Sequence, residues 1–377
     1  MGCPEFIRVG AFICLSVLTF ACAPSEEASA PEDDGAASDT SILLPAPTFH
    51  HIHINSTDPE GSLEWWRTVW PAGEVTTYAG FPAFAAEDIY HLYTQVESQA
   101  PGGFDKDLHR GVPQSVFWTT GPSTDGLALY ERLTGLDPAG ERFEFLPVYT
   151  GPDDTTGVPH SGLAPWGDRL LTVAEIEELK ASGATPERNA NSQDFGYLVD
   201  PDGVLLEFNG NAQTEDHFYG HLHFWHEDPL CAANWYVEHL GATMPPRRDP
   251  DTGELVPREL NDPCVVEIGP VSFPTFFPGG QLRQPNASVM LSNTNWFWYG
   301  RQCRFGRCGE GEDKPLAPSR GQVVDHMGLA YPDLDLVMDH LAATGVPILE
   351  GPYEFGETQA ILIEDLDGFS LELIEIP

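Results

Sequence analysis

Six residues recur as two ordered sets of histidine, histidine and glutamate: His51, His160 and Glu207, then His221, His326 and Glu372. His160 follows His51 by 109 residues and His326 follows His221 by 105, and each glutamate comes 47 or 46 residues later. Two neutral imidazoles and one carboxylate suit a divalent first-row metal and leave positions open for substrate oxygens or water. Glu207 and Glu372 stand in otherwise apolar stretches, where an ionised carboxylate needs a cation beside it. Side-chain cations are scarce, with 18 Lys and Arg against 58 Asp and Glu. His53 and His223 each come two residues after a predicted ligand. On a strand they share its face, which makes them candidates for acid–base or supporting roles, or structural histidines copied with the repeat. Tyr197, Tyr299 and Tyr353 are further candidate proton donors that nothing in their placement ranks.

The elements that must position these residues repeat as well. The segment HHIHINSTDPEGSLEWW (50–66) alternates like a strand, breaks at Asp58-Pro59 and continues as a helix. GHLHFWHEDPLCAANWY (220–236) follows the same plan without a gap, placing His223 on His53, Asp228 on Asp58 and Tyr236 on Trp66. A second unit joins PHSGLAPWGD (159–168) to DHMGLAYPDL (325–334), each followed by a predicted helix, 173–186 and 334–347, that stops at Gly183 or Gly345. Two strands across an Asp-Gly turn then follow, over 195–210 and 361–376, with the glutamate four residues beyond the glycine. The plan is strand, helix and strands, four times over, with units opening near residues 49, 157, 219 and 323.

A chain of 377 residues can bury a large core, and its net charge of −40 repels phosphate backbones and anionic lipid, so nucleic-acid binding is not expected. Residues 1–22 read as an export signal, with Arg8 before a short apolar run and Ala21-Cys22 at its end. This resembles a bacterial lipoprotein signal; ordinary secretion is the alternative. Residues 23–45 read as a disordered acidic tether. The expected place is the cell envelope or periplasm, with membrane contact only through a lipid on Cys22. Four cysteines lie beyond the signal; Cys303 and Cys308 are close enough to form a small loop, leaving Cys231 to pair with Cys264. The aromatic and arginine-rich stretch 295–315 reads as a disulfide-pinned loop, or as a carboxylate-binding element over the second cavity.

The His-x-x-apolar-x-x-x-Asp strand, the aromatic pair on the next helix and the Asp-x-Asp-Gly-x-x-x-Glu hairpin resemble the vicinal oxygen chelate superfamily. That group includes glyoxalase I, fosfomycin- and bleomycin-resistance proteins and extradiol dioxygenases. The resemblance covers about residues 48–377 and implies an α+β fold of four βαβββ modules forming two paired-module half-barrel domains, 46–213 and 214–377. It implies metal ligands at all six repeated positions. Glyoxalase I closes the first module of each pair with a further glutamate; the corresponding stretches, 115–121 and 287–293, hold none. The remaining three-ligand set is similar to that of extradiol dioxygenases and fosfomycin-type transferases, with iron(II) or manganese(II) favoured and zinc or nickel as alternatives. The implied function is an exported enzyme that chelates adjacent oxygens of a small substrate, extradiol-type ring cleavage coming first and lyase or isomerase chemistry next. The competing expectation is a non-catalytic protein that sequesters a small molecule or metal. Consecutive modules would group the triads in chain order. A crossed arrangement would join His51 with His326 and Glu372, and His221 with His160 and Glu207.

Overall fold

Strand β1 (Thr48–Ser56) is buried along almost its whole length because it lies in the middle of a sheet. The computed structural model describes residues 44–105, 110–111, 117–119, 123–124, 126–143, 195–210, 221–265, 286–300 and 315–376. After β1, the Asp58 carboxylate accepts the Gly61 N–H at 3.1 Å and Pro59 takes the first helical position, which starts helix α1 (Pro59–Val69). Its inner face buries Leu63, Trp65, Trp66 and Val69. Strands β2 (Glu74–Tyr78), β3 (Phe81–Ala86) and β4 (Ile89–Gln95) complete a first β-α-β-β-β unit.

Next come β5 (Phe117–Thr119), helix α2 (Gly126–Leu136), β6 (Phe195–Val199) and β7 (Leu205–Gly210), then β8 (His221–His226), helix α3 (Pro229–Leu240), β9 (Asn286–Met290) and β10 (Asn295–Gly300). A last complete unit holds β11 (Val324–Tyr331), helix α4 (Leu334–Thr344), β12 (Glu350–Phe355), β13 (Thr358–Glu364) and β14 (Ser370–Glu375). Helix α4 ends as its glycine predicts, Gly345 adopting φ 78°.

The first and last units join in one mixed eight-stranded sheet, ordered β12-β13-β14-β11-β1-β4-β3-β2. This sheet curls into a half-barrel, and the fold is α+β. Strands β1 and β11 run antiparallel at its centre. A second sheet has the order β9-β10-β8-β5, with β5 antiparallel to β8. The pairing is therefore crossed, and the eight-stranded sheet takes strands from both sides of residue 213. One apolar core runs between the sheets, with Phe49 of β1 edge-on to Trp296 of β10 at 5.7 Å.

Two strand assignments change. Residues 115–121 do not close the first unit: β4 does, and Phe117–Thr119 lies beside β8 as β11 lies beside β1. Likewise β10, not the 287–293 stretch, runs parallel to β8. The predicted opening of a unit near residue 157 lies outside the described residues. Residues 159–168, the predicted helix 173–186, residues 301–314 and residues 1–43 lie outside the described residues. Cys231 and Cys264 are disulfide-bonded, as expected.

The repeated Asp-x-Asp-Gly turns act as clasps between consecutive units. Asp200 accepts the Trp66 indole N–H at 3.2 Å and Asp202 accepts the Ser62 hydroxyl, both from α1. Burial first, and then Asp202, pushes the Asp200 carboxyl up to about 8. In the other copy Asp365 accepts the Tyr236 hydroxyl at 3.2 Å from α3, and Asp367 accepts the Glu227 N–H at 2.7 Å. Trp66 and Tyr236, aligned in the repeat, thus donate to equivalent carboxylates, Asp200 and Asp365. Removing the hydroxyl alone with Tyr236→Phe leaves a buried acceptor short of a donor and is expected to cost about 1–3 kcal/mol of unfolding free energy in urea titration. An unchanged midpoint would count against the clasp.

Candidate metal centre

His51 and His53 point to one face of β1, and two bulges bring polar neighbours onto that face. Phe49 pairs with Leu329 and His51 with Gly328, so His50 is an extra residue on β1. His53 pairs with His326 and Ile54 with Val324, so Asp325 is an extra residue on β11. Each bulge sits one residue before a cluster histidine, and bulges of this kind re-aim side chains. His50 Nδ1 lies 2.9 Å from His51 Nδ1, a contact that requires one nitrogen to carry the hydrogen. Asp325 Oδ1 lies 2.7 Å from His326 Nδ1. Glu372 enters from β14, where it pairs with Gly328. Gly328 therefore has His51 on one side and Glu372 on the other, and a Cβ there would collide with the His51 imidazole.

These placements bring His51, His53, His326 and Glu372 together. His51 Nε2 lies 3.2 Å from Glu372 Oε2, and His326 Nε2 lies 4.0 Å from Glu372 Oε1. The three imidazoles each offer a nitrogen within 4.8 Å of the others. Every member also has an outer partner. His53 Nε2 contacts Thr94 Oγ1 at 2.7 Å, and the Tyr353 hydroxyl donates to Glu372 Oε1 at 2.6 Å. With those contacts made, His53 Nδ1 and His326 Nε2 are buried without a hydrogen-bond partner among the described residues, and His51 Nε2 and Glu372 Oε2 are buried facing each other. Folded proteins rarely leave one such atom unsatisfied, and here two converge on a third imidazole and a carboxylate. Ring nitrogens turned inward while their opposite nitrogens hold an outer group is how metal-binding histidines are oriented.

Charge states fit the same use. Burial holds His51 well below the usual imidazole range; burial, then His326 and His51, lowers His53 to about 3. The His51 and His53 rings are then neutral, the form that ligates. Burial alone would raise Glu372, but the contacts with His51, His326 and Tyr353 outweigh it and lower the carboxyl to about 2. Three nitrogens and one carboxylate oxygen suit a divalent first-row metal.

A second cluster joins Glu207 of β7 to His221 and His223 of β8, at 3.7 Å and 3.5 Å. His223 stacks on Phe297 and Tyr299, with ring centroids 5.8 Å and 5.3 Å away, and burial lowers it to about 3. Thr119 pairs with His223 where His326 pairs with His53. His160 lies outside the described residues. His51 and Glu207 belong to different sheets, whereas His51 sits with His326 and Glu372 as the crossed arrangement has it. His53 and His223 lie inside the donor groups themselves. The positions matching Glu372 in the first and third units, opposite His53 and His223 in the parallel ladders, are Leu92 and Phe297. Of the tyrosines, Tyr353 bonds Glu372, Tyr299 stacks on His223, and Tyr197 pairs with Glu207 in the β6–β7 ladder.

Neither a family model nor a curated protein sequence matches the chain. Among solved structures, glyoxalase I from Zea mays is 11% identical, with 88% of this chain and 92% of that one covered at a TM-score of 0.50. At that identity what is shared is the fold. The fold is of the vicinal oxygen chelate type. Lactoylglutathione lyase from Agrobacterium tumefaciens is 15% identical over 41% of this chain and 91% of its own, at a TM-score of 0.24. A virulence protein from Salmonella typhimurium is 16% identical over 42% and 95%, at 0.25.

In this vicinal oxygen chelate-type sheet four outer partners went unread in sequence: His50, Thr94 and Asp325, with Tyr353 named but unranked. Asp325 directly precedes a predicted ligand and could have been suspected; a bulge that re-aims His50 leaves no periodic signal. Gly328→Ala is expected to destabilise the fold by about 1–3 kcal/mol through overpacking. Adding His51→Ala should recover most of that loss, because the colliding ring is gone. A double-mutant cycle in urea with no coupling between the two changes would contradict the close approach.

Proposed function

We propose that the chain is an exported, metal-dependent enzyme of the vicinal oxygen chelate type in its four-module form. The supporting observation is the first cluster, where four buried donor atoms face inward, His53 Nδ1 and His326 Nε2 without a partner among the described residues and His51 Nε2 and Glu372 Oε2 with only each other. His51, His53, His326 and Glu372 would hold the metal. Iron(II) or manganese(II) is favoured, with zinc or nickel as alternatives. A divalent ion bound there would polarise adjacent oxygens of a small substrate and stabilise the negative charge that develops on them.

The chain's own residues do the rest. His50, Thr94 and Asp325 fix the three rings, so that no reorientation is needed when a ligand arrives. Tyr353 keeps its phenolic proton, since burial and then Glu372 push its pKa up, and its hydroxyl donates a hydrogen bond to Glu372 Oε1. Phe81 and Phe355 exclude water from beside His53 and His51. Extradiol-type ring cleavage is the preferred reaction, with lyase or isomerase chemistry next. Burial of the donors favours a second reading, a protein that retains a metal or small molecule at the envelope without turnover. Under either reading the lipid anchor would be at Cys22.

Metal analysis after anaerobic loading tests the proposal. Wild type should hold up to two equivalents, His51→Ala should lose the one at the first cluster, and His51→Ala with His221→Ala should lose both. No bound metal in wild type would overturn the enzyme reading. Oxygen uptake with a panel of catechols under iron(II) tests the reaction; silence with metal present would exclude ring cleavage.

A further inference from the structure

The first cluster is roofed by the tips of two hairpins from different units. Tyr78 pairs with Phe81 across Ala79-Gly80, and Phe355 pairs with Thr358 across Gly356-Glu357. Ala79 and Gly80 have φ of 48° and 87°, and Gly356 has φ 64°, the tight turns that two-residue hairpins require. The tips touch: a Cβ on Gly356 would lie 3.3 Å from both Cα and Cβ of Ala79. Beneath that contact Phe355 stacks on His51, ring centroids 5.5 Å apart and planes at 20°. Phe81 stands edge-on to His53 at 4.7 Å, and Tyr78 lies 5.9 Å from Phe355.

This roof belongs to a small apolar cluster separate from the main core. Ala83, Ala330 and Ala360 are its small members, with Tyr78, Phe81, Tyr90 and Tyr353 around them. Alanines in place of larger residues leave space that Phe355 fills, and Phe355 itself is 4% exposed.

We propose that Phe355 is the specificity-determining residue of the first cluster. It occupies the stacking position on His51 that an incoming ligand must take, and it yields only when the two hairpin tips part. The ligand that replaces it is flat and apolar-faced, able to stack on an imidazole while turning adjacent oxygens toward the donor atoms. This rests on the metal reading of the same cluster.

The full chain loaded with cobalt(II) tests it, using the visible cobalt band that His51→Ala abolishes. Catechol serves as the flat probe and azide as the thin one. Phe355→Ala is expected to accelerate catechol association at least tenfold and azide association much less, with cobalt content kept and the melting temperature lowered by loss of the buried ring. Joining the tips by Ala79→Cys with Gly356→Cys is expected to slow catechol at least tenfold when oxidised and to restore it on mild reduction. That pair decides the matter if Phe355→Ala fails to fold, since Cβ atoms 3.3 Å apart need to part only slightly to reach the roughly 3.5–4.5 Å of a disulfide. Rates within twofold of wild type in both variants, with the cobalt band intact, would overturn the proposal while leaving the metal reading standing. A wild-type protein with no such band would end both.

Discussion

Everything at the first cluster depends on the antiparallel ladder between Thr48–Ser56 and Val324–Tyr331. Its register sets His53 against His326 and His51 against Gly328. A slip by one residue would turn every one of these side chains to the opposite face of the sheet. The apolar alternation of Phe49, Ile52 and Ile54, buried in the core between the sheets, holds that register. The same ladder carries the two bulges that deliver His50 and Asp325 to neighbouring imidazoles. One pairing therefore supplies three ring donors and two of their outer partners.

The repeat explains why this ladder can form between segments so distant in sequence. Sheets join the first unit to the fourth and the second to the third, while the Asp-x-Asp-Gly clasps join first to second and third to fourth. Each unit is thus bound to one neighbour by backbone ladders and to another by buried carboxylates. The quasi-equivalence is incomplete where chemistry enters. Asp325 backs His326 with an anion, whereas its counterpart His50 backs His51 with a second imidazole. Gly328 stands where its counterpart is His53, and this difference makes room for the His51 ring. Among the described residues, Thr119 holds the ladder position opposite His223 that His326 holds opposite His53.

The residues of the first cluster were legible because duplication repeats residue types at matched intervals. His51, His326 and Glu372 were found that way, as were His221 and Glu207. Their grouping was not legible, since consecutive and crossed pairings use the same spacing and strand partnership is a long-range choice. The Cys231–Cys264 bond followed from elimination. The His-x-Gly-Leu-Ala segment of the second unit lies outside the described residues, and the strand beside His223 is the brief Phe117–Thr119, whose pairing no periodic signal announces. Phe355 and Tyr353 were invisible as neighbours of the cluster, because their position follows from the curl of the sheet and the contact of two turns.

X-ray absorption at the metal edge, on protein carrying one equivalent, tests most directly whether these four side chains form a metal site. The account predicts a nitrogen and oxygen shell at about 2.0–2.2 Å, with imidazole multiple scattering that weakens in each of His51→Ala, His53→Ala and His326→Ala. A spectrum without imidazole scattering, or one unchanged by all three substitutions, would contradict it.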